Sequence, residues 1–204
     1  MRLLTKTAVM ALAASLSLGL SGCSGLLGGG KPPANLVTLT PEAPEPASMA
    51  RTAAPGQAVT IGTPAVRREI GTVRVPVQVT PTDVQYVANL QLIDTPAHLF
   101  QGLLEETIRR TTNRVVLGAA QTTLDPGLMV SGELQHFGYD ASSGQVVVTY
   151  DASLSAAGGA RVETRRFTAT APADGTPASV GPALNRAANQ VALDVAKWIG
   201  SSGS

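Results

Sequence analysis

Cysteine is nearly absent from this chain of 204 residues, which carries one, Cys23. A disulfide framework inside one molecule is therefore excluded, even in a compartment that would permit it. Aromatic residues are as scarce, with three Phe, three Tyr and one Trp, so the core has to be built from Ala, Val, Leu and Ile. Charge of one sign is missing too: 15 basic residues stand against 14 acidic ones. Without a basic excess or an array of stacking aromatics, no nucleic-acid interface is expected. Only two histidines are present, His98 and His136, and no free cysteine cluster joins them, so no metal site is expected. The chain has no phosphate-cradling Gly-rich loop ending in Lys and Ser or Thr, and no Gly-x-Ser-x-Gly elbow.

Long apolar runs are also few, and the one at the start is informative. Arg2 and Lys6 precede the uncharged run from Thr7 to Leu20, the layout of a secretory signal peptide. That run has 14 residues, short of the roughly 20 needed to cross a bilayer core. It ends in Leu20, Ser21 and Gly22 directly before Cys23, an order that looks like the lipobox of bacterial lipoproteins. A lipobox implies that Cys23 receives a diacylglyceryl group through a thioether, becomes the new N-terminus and is acylated again. The chemistry needs a thiolate to attack the lipid donor, and small residues at 21 and 22 let a peptidase reach the backbone. A single acyl chain binds membranes marginally, whereas two or three give a stable anchor. The covalent lipid is the one prosthetic group expected, with no other cofactor. Ser24, rather than Asp, follows the cysteine and favours the periplasmic face of the outer membrane over the inner membrane. Without residues 1–22, of the 204, the chain has 182 residues, with 13 basic and 14 acidic side chains and a formal charge of −1.

Residues 23–33, with Gly28-Gly29-Gly30 and Pro32-Pro33, read as a flexible tether, 34–200 as one domain and 201–204 as a loose tail. Alternation predicts a first strand over 35–40, and the proline-rich stretch 40–56 reads as an exposed loop or second linker. Ala58 to Ile61 is a short buried strand. Val73 to Val79 alternates, and Pro76 within it points to an edge strand or a strand end. A hairpin partner follows from Val84 to about Leu92. Asp94-Thr95-Pro96 opens a helix whose apolar stripe is Phe100, Leu103, Leu104, Thr107, Ile108 and Thr111. After Asn113 come a buried strand at Arg114 to Leu117 and then an antiparallel meander over Leu128–Tyr139, Gln145–Leu154 and Val162–Thr170. The last element, Pro177 to about Ile199, aligns Leu184, Ala188, Val191, Val195 and Trp198 on one helical face, a stripe that suits packing on a sheet better than a coiled coil.

Four stretches carry a resemblance. They are Leu90 to Phe100 (LQLIDTPAHLF), Leu134 to Asp140 (LQHFGYD), Arg165 to Ala169 (RRFTA) and Ala183 to Asn189 (ALNRAAN). With the lipobox, they make the chain resemble the ABC-type transport auxiliary lipoprotein family from about 35 to 200. The resemblance implies an α/β fold of α+β character, a single domain with a mixed β-sheet flanked by two main helices, similar to the N-terminal domain of TolB. It implies no catalysis. The implied partners are an ABC transporter ATPase and permease and a mammalian-cell-entry-type substrate-binding protein, in a system that moves phospholipid or other hydrophobic molecules between membranes. The lipoprotein would dock that conduit, as a homo-oligomeric ring of copies. Leu92 stands where many members carry Trp, and the stretch from Ile70 to Val77 departs from the tyrosine-containing pattern of the best-known member.

Two surfaces are candidates for partner contact: the edge formed by Val73, Val75, Pro76 and Val77, and the 40–56 loop. Ser131, His136 and Asp140 could be written as a hydrolase triad, but they lie along one strand, where His136 is an ordinary polar position. Asp140 and Asp151 read as turn and surface groups. An independent lipid carrier with an apolar cavity between helices and sheet, and a purely structural envelope lipoprotein, are the competing readings.

Overall fold

The computed structural model describes residues 35–121, 125, 127–156 and 159–201. In chain order the elements are β1 (Asn35–Val37), β2 (Val59–Ile61), β3 (Ala65–Val66), β4 (Arg74–Thr80), β5 (Asp83–Leu92), α1 (Pro96–Thr111), β6 (Val116–Leu117), a 3-10 turn (Ala119–Gln121), β7 (Leu128–Asp140), β8 (Gln145–Ala156), β9 (Arg161–Pro172) and α2 (Pro177–Ser201). The long strand β7 is the spine of a nine-stranded sheet. On one side it pairs antiparallel with β8, which pairs antiparallel with β9, so the predicted meander forms. On the other side it takes β2, β3 and β4 in succession, all parallel, with Val59 opposite Leu128, Ala65 opposite Glu133 and Val77 opposite Tyr139. Antiparallel β5 continues outward from β4, parallel β1 from β5, and parallel β6 from β2. The fold is therefore a mixed α/β arrangement with an open sheet and two main helices.

The expected edge at Val73 to Val79 is corrected by this topology. Strand β4 lies inside the sheet, between β5 and β7. Proline cannot donate to a ladder, and the sheet accommodates it by a register shift between Arg74 and Pro76 on the β5 side. On the β7 side Gly138 supplies the room: a Cβ there would overlap the Pro76 carbonyl oxygen and sit 2.9 Å from Pro76 Cγ.

Burial along β8 alternates, with Val146, Val148, Tyr150, Ala152 and Leu154 buried and Val147, Asp151 and Ser153 partly open. Both helices pack on the buried face and against each other. Helix α1 buries Phe100, Leu103, Leu104, Thr107 and Ile108 of the stripe read from its spacing, while Thr111, in the last turn, is exposed and bonds back to the Thr107 carbonyl. Its Arg109 and Arg110 answer Glu105 and Glu106 one turn earlier, the orientation that favours a helix C-terminus. Helix α2 buries the predicted stripe together with Ala183, Ala187, Ala192 and Ala196, and these small side chains bring its backbone close to α1 and the sheet.

All three phenylalanines are buried, and the largest fully buried side chain is Tyr150. Its ring lies 5.1 Å from that of Phe100 at 59°, within the range of favourable tilted aromatic pairs. Its hydroxyl is buried and finds no hydrogen-bond partner among the described residues. Burial pushes the phenol pKa far above its ordinary value, so it stays neutral. A buried unpaired hydroxyl costs about 1–3 kcal/mol. Tyr150→Phe is therefore expected to raise stability by about 1 kcal/mol, read as a higher denaturant midpoint at unchanged slope.

Candidate functional site

Cys23 and the lipobox residues Leu20, Ser21 and Gly22 lie outside the described residues. The partner edge expected at 73–77 is not a surface: Val75 and Pro76 are buried and Val73 and Val77 are half-buried, because β5 and β7 flank the strand.

The 40–56 stretch is the irregular surface loop expected, with none of its residues buried, but it is not a loose linker. It is a strap tied across both helices. Asn189 of α2 receives the Glu42 amide at 2.8 Å and donates to the Thr40 carbonyl at 2.9 Å. One turn earlier, Asn185 receives the Thr40 amide at 2.8 Å and donates to the Glu42 carboxylate at 2.9 Å. Arg110 of α1 donates to the Ala43 carbonyl and to Glu45, at 3.0 and 3.1 Å. At the far end Asp125 receives the Gly56 and Ala58 amides at 2.8 and 3.0 Å. The Ala183 to Asn189 stretch thus holds residues that give the strap's backbone its partners. Asn189→Ala leaves the Glu42 amide and the Thr40 carbonyl without them, at a cost of about 1–3 kcal/mol. The expected result is cleavage by trypsin after Arg51 about tenfold faster than in the parent, measured under native conditions.

Around Asp151 the helix-free face of the sheet is polar. Asp151 on β8 accepts two hydrogen bonds from Arg166 on β9, each 2.6 Å, and Thr149 and Thr168 share one of 3.1 Å. The Arg166 bonds hold the Asp151 carboxyl below its ordinary pKa. The Ser142 hydroxyl does the same for Asp140, and the Thr176 hydroxyl for Asp174 at the entrance to α2. A carboxyl whose folded pKa is depressed adds stability above its unfolded value and loses it as pH falls through the folded one. These groups therefore contribute fully near neutrality and progressively less below about pH 4. The melting temperature at pH 3 is expected to lie below that at pH 6, and Asp151→Asn should narrow the gap.

The paper triad does not assemble around a common point. Asp140 spends its carboxylate on the Ser142 amide and hydroxyl and on the Ser143 hydroxyl, closing the β7–β8 turn. His136 is exposed opposite Thr149. His98 faces Asp94 at 3.3 Å at the start of α1, and the Thr95 amide, ahead of His98, lowers the Asp94 pKa. Among the described residues no group of three or more His, Cys, Asp or Glu is placed to hold a metal, and no helix is long and apolar enough to cross a membrane. An open cavity of about 260 Å³ is lined by Ile70, Pro76, Gln78, His136, Val147 and Thr149, among others. Sequence reasoning did not find it, because Ile70 comes from the β3–β4 connection and has no periodic neighbours.

A mixed sheet with two packed helices and a strap bound to both defines an α/β domain. The chain belongs to the family of ABC-type transport auxiliary lipoprotein components, whose model matches residues 38–196. No curated protein matches it in sequence. Among solved structures it is similar to protein XCC0632 from Xanthomonas campestris, at 18% identity and a TM-score of 0.65, over 84% of this chain and 94% of that one. An uncharacterized protein matches at 14% identity and a TM-score of 0.58, over 74% and 96% of the two chains. PelC from Paraburkholderia phytofirmans, a dodecamer, matches at 17% identity and a TM-score of 0.44, over 72% and 90%.

Proposed function

We propose that this chain is the lipid-anchored periplasmic accessory component of an ABC-type intermembrane transport system, held by acyl groups on Cys23. In this reading it sits at the outer membrane, as Ser24 favours, and docks the conduit of a mammalian-cell-entry-type substrate-binding protein. The ATPase and permease are separate chains, the cargo is phospholipid or another hydrophobic molecule, and several copies assemble around the conduit.

One observation carries the reading: the family match over 38–196 begins directly downstream of a lipobox and its short following segment. The contribution is positional. Acyl chains fix the domain at one membrane, and the domain presents a polar sheet face and a strapped helix pair to its partners. Deleting the chain is expected to shift the phospholipid distribution between inner and outer membranes, read by lipid analysis of separated membranes. An unchanged distribution with a weakened envelope would replace this reading with that of a structural lipoprotein.

A second reading, an independent lipid carrier, is favoured by the 260 Å³ cavity with Ile70, Pro76 and Val147 in its wall. Native mass spectrometry of the purified protein decides between them. Bound lipid at one equivalent supports the carrier, and its absence supports docking.

A further inference from the structure

Leu36 and Ile93 are 64% and 58% exposed, against a core in which aliphatic side chains are almost fully covered. They lie at the same edge of the sheet, because the Ile93 amide donates to the Val37 carbonyl at 3.0 Å and Leu36 is in register with Gln91, two residues before Ile93. Gln91 is in turn in register with Arg74 on β4, so Leu36, Gln91 and Arg74 form one row across the sheet and share a face. The exposed Arg74 guanidinium stacks over Tyr86 at 3.8 Å from the ring centre. Aliphatic side chains beside an arginine held on an aromatic ring match the chemistry of the bilayer interface: apolar groups for the acyl boundary and a fixed cation for phosphate. The Asp94 carboxylate, next to Ile93, is taken up by the Thr95 amide and faces His98, and does not pair with Arg74.

The position of this patch in the chain says what covers it. Asn35, which starts β1, is 12 residues after Cys23, a stretch that cannot span more than about 43 Å when fully extended. Whatever path it takes, acyl chains on Cys23 keep the β1 edge within that distance of the bilayer, which makes docking effectively intramolecular. We propose that the β1 edge of the sheet, through Leu36, Ile93 and Arg74, rests on the headgroup layer of the membrane that holds the acyl chains. The inference rests on lipidation at Cys23. The opposite end of α2 then points away from that membrane: Gly181 packs on Val37 beside the patch, and Trp198 follows 17 residues later, about 25 Å along the helix.

The test uses the full-length lipidated protein carrying Leu36→Trp. It is reconstituted into vesicles of phosphatidylethanolamine and phosphatidylglycerol brominated in the upper acyl chain, with flotation and tryptophan emission both recorded. Leu36 is exposed, so the variant folds, and Trp198 in the parent protein is the reference at the far end of α2. The expected result is that protein floats with the vesicles, that bromine quenches the added emission about twofold or more, and that parent emission is unchanged. Adding Arg74→Glu should relieve that quenching. Flotation with unquenched added emission overturns the proposal while leaving the anchor intact, and is what a patch covered by a protein partner would give. Failure of both parent and variant to float shows that the anchor is absent, and the proposal falls with it.

Discussion

Cys23→Ala is expected to abolish both the cut before residue 23 and the acylation, an all-or-none change in the intact mass of the protein. The parent should lack residues 1–22 and carry the added mass of two or three acyl chains. The variant should keep residues 1–22 and carry none. The effect is total because alanine has no nucleophile for the lipid donor, and because the cut depends on the modified cysteine. The energetic consequence is large as well: one acyl chain binds only marginally, but two or three together give a stable anchor, and the variant loses all of them. No described helix is long and apolar enough to substitute for it. Acyl mass on the variant, or its absence from the parent, would contradict the lipobox reading.

Gly132→Ala is expected to destabilise the domain by about 3 kcal/mol, the upper end of the usual cost of overpacking. Gly132 lies on β7 opposite Ala152 of β8, on the central pair of the sheet. A methyl there would overlap the Asp151 carbonyl oxygen and come within 2.8 Å of the Tyr150 ring. Neither neighbour can give way, since one is backbone in the ladder and the other is fully buried against Phe100. Gly102→Ala is the control of opposite sign. Gly102 is exposed on α1 with nothing within 4 Å of the added methyl, so it is expected to stabilise by about 1 kcal/mol through helix propensity. Chemical unfolding of both variants checks the pair: the first should lose much of the transition midpoint and the second should gain.

What could be read from the residues alone follows the range of the interactions. Helices α1 and α2, the β4–β5 hairpin and the β7–β9 meander depend on local periodicity and turn chemistry, and all were legible. Long-range pairings were not. Nothing near Pro76 announces that β7, sixty residues later, will flank β4, or that Gly138 leaves room for its carbonyl. Proline argued for an edge because its missing N–H is a local fact, whereas the register shift that accommodates it is a property of two strands together. The strap shows the same limit. Residues 40–56 have no periodicity, and their order comes from Asn185, Asn189 and Arg110, up to 149 residues away. The family-like stretch Ala183 to Asn189 marked two of those partners without disclosing what they bind. For the interaction surfaces, exposure was inferred from chain character alone, and tertiary pairing reversed it at Val75 and Pro76.

The strap joins the entry strand β1 to both helices, so force or position delivered through the N-terminus reaches the whole core.

The central claim is that the lipidated domain works with an ABC-type transport system, and purification of the full-length protein from its native envelope tests it most directly. After crosslinking in mild detergent, the account predicts recovery of a mammalian-cell-entry-type protein or its ATPase and permease, with crosslinks on the domain. Recovery of single copies carrying bound lipid and no transport component would contradict it and leave the independent carrier in its place.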